Sequence, residues 1–153
     1  MKALVCVFVL IAFAGVASAA DPFVGKYKMN PAKSAATGGQ VPPELMLTIS
    51  EDGGNLLIAT SGKTADGSPI SADVLTVPKS GGTMKAPEGA SYDSTVVSRR
   101  DPNTIDVVAM LKGKERTRVK FALSKDGKVL TRSFTSTNAQ GRPVNGTSVL
   151  ERE

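Results

Sequence analysis

The sequence predicts an all-β fold: an antiparallel up-and-down barrel of about nine strands, preceded by a secretory signal peptide. Three observations predict it. No stretch after residue 19 repeats its apolar residues with a helical period. Short alternating runs recur instead at a spacing of about ten residues, separated by Asp-Gly and Asn-containing turns. Every connection after residue 43 is short enough to join sequential neighbours. A meander of that length tends to curl and close, because closure alone removes both exposed edges. A two-sheet sandwich or a half-open sheet is the alternative.

Residues 1–19 carry an address. Lys2 supplies a positive charge, Leu4 to Val16 is apolar, and Ala17-Ser18-Ala19 is a small-x-small cleavage site. The apolar run is too short for a comfortable membrane span. Cys6 lies well before the cleavage point, where a lipid anchor would not place it. Export to the periplasm or the medium, without a membrane anchor, is therefore expected. Residues 20–153 form one domain, long enough to bury a core without disulfide staples.

The strands follow in order. Val24 to Asn30 is the first, and Pro31 to Pro43 is a Gly-, Pro- and Ala-rich crossover. Glu44 to Ser50 and Asn55 to Ser61 flank "EDGG". Pro69 to Val77 follows "ADGS", and Pro78 to Gly89 is a loop. Tyr92 to Ser98 and Thr104 to Leu111 flank "RDPN". Glu115 to Ser124, Lys128 to Thr137 and Pro143 to Arg152 complete the series.

Alternation assigns faces. In Glu115 to Ser124, Thr117, Val119, Phe121 and Leu123 share one face, while Arg116, Arg118 and Lys120 share the other. The first set belongs inside and the second in water. In Asn55 to Ser61 the contrast between Leu57 and Ala59 and the set Leu56, Ile58 and Thr60 is weaker. Lys128 to Thr137 reads two ways. If bulk decides, Leu130 and Phe134 point inward and carry Arg132 with them, and an inward arginine suits a ligand carboxylate. If the Thr/Ser face lines the interior, Arg132 is in water.

Composition excludes much chemistry. Residues 20–153 contain no His, Cys or Trp. A Ser-His-Asp triad, a cysteine nucleophile and ordinary zinc or haem ligation are therefore out of reach. No phosphate loop or dinucleotide fingerprint occurs, and neither a metal nor a cofactor is expected. Asp52, Asp66, Asp101 and Asp126 occupy turns, where a carboxylate bonds the turn's own backbone. Asp73, Asp93 and Asp106 are the remaining acidic candidates. The chain has 19 Lys and Arg against 14 Asp and Glu, but the cations are scattered among apolar residues. That is a solvated sheet exterior, and no stacking aromatics accompany it for nucleic acid.

Two segments carry a family resemblance. "FVGKYKMNPAKS", Phe23 to Ser34, resembles the Gly-x-Trp opening of the calycins, the lipocalins and fatty-acid-binding proteins, with Tyr27 in place of Trp. "TSVLERE", Thr147 to Glu153, resembles the closing strand of the fatty-acid-binding branch. "NPAKS", "ADGSPI" and "SKDGKVLTRSFTSTNAQGRPV" resemble a group of secreted bacterial lipocalin-like proteins over nearly the whole of residues 20–153. The resemblance implies a structural pair, Arg152 packed across the closed barrel end near Tyr27. It implies a non-enzymatic barrel, monomeric, that binds a small hydrophobic or amphipathic ligand; Arg132, Phe134, Phe121 and Tyr27 are the candidate ligand residues. The alternative is a structural or protein-interaction module with a filled core. Two departures stand out. The Arg-x-Tyr clamp of the last strand is replaced by Ser148 and Leu150, and Pro31 to Pro43 is too short for two lid helices.

Overall fold

The structure is a computed structural model that describes residues 20–70, 74–137 and 141–153. The signal-peptide segment and Asp73 lie outside the described residues. Eleven strands form one antiparallel sheet: β1 (Gly25–Met29), β2 (Ala35–Thr37), β3 (Glu44–Asp52), β4 (Asn55–Lys63), β5 (Val74–Pro78), β6 (Gly82–Lys85), β7 (Ser94–Asp101), β8 (Thr104–Leu111), β9 (Lys114–Leu123), β10 (Val129–Thr137) and β11 (Pro143–Arg152). The order across the sheet is β5-β4-β3-β1-β11-β10-β9-β8-β7-β6, with β2 paired to β11.

The strand count exceeds nine because of β2 and β6. Both are short and lie in segments that read as loops. Neither has the alternation that marks a strand; each forms because a neighbour offers a ladder. Ala35–Thr37 pairs with Asn145–Thr147, and Gly82–Lys85 pairs with Ser94–Val97. The crossover opens with a three-residue 3-10 turn, Pro31–Lys33, and holds no longer helix. The barrel is nearly closed. β5 and β6 are joined by three residues and form no ladder with each other, so one seam of the wall stays open.

The two ends of the barrel differ. At one end the turns after β3, β7 and β9 meet the start of β1 and the end of β11. Here Phe23, Tyr27, Leu56, Ile105, Leu130 and Leu150 are fully buried or nearly so. Phe23 plugs this end, and the Arg99 guanidinium lies 5.6 Å from its ring centroid and pairs with Asp21. At the other end the strands run past the core. The predicted faces hold on β9, where Phe121 and Leu123 are buried while Arg116, Arg118 and Lys120 are exposed. On β4 the inward set is Leu56 and Ile58, with Thr60 above them.

Candidate functional site

Tyr27 and Arg152 are register partners on β1 and β11. The Arg152 guanidinium lies 4.9 Å from the Tyr27 ring centroid. It donates to the Tyr27 hydroxyl and to the carbonyls of Gly127 (2.7 Å), Val24 (2.8 Å) and Pro22 (2.6 Å). The Tyr27 hydroxyl in turn donates to the Phe23 carbonyl at 2.9 Å. Glycine suits position 25, whose φ is 156° and where a Cβ would stand 2.9 Å from Arg152 Nη1 and displace the guanidinium. Burial pushes the Tyr27 phenol above its ordinary value, with Arg152 working against that shift and Asp21 adding to it. This cluster fastens the closed end. Tyr27, also expected near ligand, does not line the cavity described next.

That cavity, about 310 Å3, sits at the open end. β10 and β11 contribute Arg132, Phe134 and Ser148, and β3 and β4 contribute Leu45 and Thr60. The crossover roofs it with β2 and with Gln40, Val41 and Pro42. Arg132 and Phe134 therefore meet in one place, as the bulk reading of β10 requires. Phe121, the register partner of Arg132 on β9, is packed in the core and does not line the cavity. The crossover residues and Thr60 were not foreseen. For Thr60, the apolar Leu56 and Ile58 on its own face were the available signal.

Arg132 is opposed by Ser148 on β11 and Phe121 on β9. Its guanidinium lies 5.4 Å from the Phe134 ring centroid. Burial pulls its pKa below the ordinary arginine value, yet a guanidinium stays cationic at neutral pH. Among the described residues no carboxylate pairs with it and no carbonyl accepts from it. The Phe134 ring reaches across β11 where Gly146 lies opposite; a Cβ on Gly146 would stand 2.7 Å from the ring.

Three of the four turn aspartates bond the turn backbone as expected, whereas Asp52 ends β3 and, among the described residues, accepts no turn N–H. Asp66 and Asp126 each accept the backbone N–H two residues on, at 3.1 Å, and Asp101 accepts that of Asn103 at 2.8 Å. Asp93 accepts the Lys112 N–H at 2.6 Å and lies before β7 rather than within a strand. Asp106 is buried on the outward side of β8, with Arg100 Nε 3.2 Å from its Oδ2, close enough for an ion pair though not aligned as a hydrogen bond. Among the described residues no three His, Cys, Asp or Glu side chains are grouped as metal ligands. A second cavity, about 280 Å3, opens between the unpaired strands, lined by Val74 and Leu75 of β5 and Met84 and Lys85 of β6.

No protein-family model matches the sequence, and no curated protein matches it. Solved structures do. Zebrafish ileal bile acid-binding protein complexed with cholic acid is 14% identical, with 86% of this chain and 99% of that chain covered and a TM-score of 0.51. Apocrustacyanin C1 is 10% identical, with 87% of this chain and 62% of that chain covered and a TM-score of 0.40. Lobster apocrustacyanin A1 is 10% identical, with 88% and 62% covered and a TM-score of 0.39. At such identities the likeness is one of architecture alone: this chain and the zebrafish protein share an antiparallel, all-β barrel fold.

Proposed function

We propose that the protein is an exported, non-enzymatic barrel that carries a small hydrophobic or amphipathic ligand. The observation that supports this best is the cavity of about 310 Å3 at the open end of the barrel. Its lining is mostly apolar with a few polar groups, the usual make-up of a small-molecule site. The zebrafish structure of the same architecture is a complex with cholic acid, a small amphipathic molecule. Residues 20–153 offer no His or Cys for catalysis. Native mass spectrometry after exposure to lipid and metabolite extracts tests the reading. A retained small molecule with a raised melting temperature is expected. No adduct and no shift from any extract would favour a structural module instead, a reading that the filled closed end supports.

Export rests on Lys2, the apolar run Leu4 to Val16 and Ala17-Ser18-Ala19. Secreted material is expected to begin at Ala20 by intact mass. A species that retains Met1 would contradict it.

A further inference from the structure

Among the described residues the arginine in the cavity wall has nothing of opposite charge beside it, and the ligand class follows from that. We infer that the cavity takes a compact organic acid of about ten non-hydrogen atoms in all, whose carboxylate pairs with Arg132. The inference rests on the binding reading above and makes it specific.

The first support is a comparison among arginines. Arg99 and Arg152 also reach toward the barrel, and both are matched: Arg99 by Asp21, and Arg152 by three backbone carbonyls and the Tyr27 hydroxyl. Arg132 has no such match. Its facing neighbours are Ser148 and Phe121 in register, Phe134 along its own strand, and Leu45, Thr60 and Val41 around the cavity. None is acidic. Arg132 is half-buried in the cavity wall, so its charge is only partly solvated, and a ligand anion entering the cavity would offset that loss.

The second support is geometric. Phe134 lies beside the guanidinium, in the space that Gly146 leaves open. The ring flanks the guanidinium on one side and adds no hydrogen-bond partner to it. The planar fork of a guanidinium suits a two-oxygen acid group through paired hydrogen bonds. The hydroxyls of Ser148 and Thr60 line the same cavity and offer it further polar contact.

The third support is size. At about 30 Å3 for each water-sized group, the cavity of about 310 Å3 holds about ten such groups. A medium-chain alkanoate or an aryl-substituted short acid fits. A long-chain acid or a bile acid would leave much of its length outside.

Isothermal titration with octanoate, 1-octanol and palmitate, on the wild type and on Arg132→Gln and Arg132→Lys, tests this, with the neutral fluorophore N-phenyl-1-naphthylamine as reporter of the apolar cavity. Octanoate is expected to bind the wild type about 30-fold more tightly than octanol, the order of a partly buried charged pair. Arg132→Gln should bring the two within about 3-fold while fluorophore binding persists, which also shows that the variant is folded. Arg132→Lys, which keeps the charge but not the fork, should fall between them. Equal binding of octanoate and octanol, with the fluorophore bound, overturns the acid while leaving the binding barrel standing. Palmitate binding far more tightly than octanoate overturns the size limit. Failure of all three compounds and of the fluorophore to bind overturns both the inference and the binding reading.

Discussion

Two arginines on neighbouring strands meet opposite fates, and the difference is measurable. Arg152 gathers the carbonyls of Pro22, Val24 and Gly127, so Arg152→Met removes three charge-assisted hydrogen bonds that water replaces in part, and is expected to cost about 1 kcal/mol in urea titrations. Arg132→Met is expected to leave the ligand-free protein as stable as the wild type or more so, because it removes an unmatched charge and keeps the bulk. A large loss from Arg132→Met would mean that the guanidinium has a structural partner. The contrast on β9 is of the same kind. Phe121→Ala should cost about 3–5 kcal/mol and Arg118→Ala under about 1 kcal/mol, since the first empties core and the second touches water and Glu115. Equal costs would reverse the faces. The Tyr27 phenol sets a limit at high pH. Its folded pKa is raised above the value of 10.0 that the unfolded chain retains, so the stability it contributes is complete below pH 10. That contribution is lost as pH rises past 10 and through the folded value. Tyr27→Phe should flatten the fall in urea midpoint above pH 10; an unchanged slope would locate the alkaline sensitivity elsewhere.

At the scale of the strand, legibility follows how much of an element's reason is local. β9 was readable because its apolar and basic residues alternate, whereas β10 carries bulk on one face and Thr and Ser on the other, so its alternation alone left two readings open. β2 was not readable. Ala-Ala-Thr has no pattern of its own, and it becomes a strand only because β11 lies alongside. The cavity roof, Gln40 to Pro42, escaped for the same reason: it is placed by the crossover's path and not by its composition. Asp106 misleads in the other direction, since a charged residue on the wet face is buried beneath Arg100. The pairing of β10 with β11 yields a prediction of its own. Gly146→Ala places a methyl where the Phe134 ring rests, and the ring must turn into the cavity. Stability should fall by about 1–3 kcal/mol, and the volume available to a ligand should shrink. Unaltered stability and unaltered fluorophore binding in that variant would show that the ring has room elsewhere.

Over the whole molecule, the ladder between β1 and β11 joins the two distant parts of the chain in the middle of the sheet, with Tyr27 opposite Arg152 and Met29 opposite Leu150. The unpaired seam falls instead between strands that follow one another in sequence, β5 and β6. The barrel thus has a covalent link where it lacks hydrogen bonds, and hydrogen bonds where it lacks a covalent link.

That mismatch makes the molecule a natural subject for circular permutation. The Glu153 N–H donates to the Lys26 carbonyl at 3.0 Å, so a short linker from residue 153 back to residue 20 has little distance to cover. New termini between Ser80 and Gly81 would fall in the short link beside the seam, where no inter-strand ladder is cut. Apart from the side strand β2, the rearranged chain would then run through the sheet from one edge to the other, each strand pairing with the next. Chain ends that lie close together, and new ones placed in an exposed turn, are the conditions under which permutation succeeds. The permutant is expected to keep the far-ultraviolet spectrum and ligand behaviour of the parent. It should also fold faster, because the most distant pairing in the parent becomes a local one.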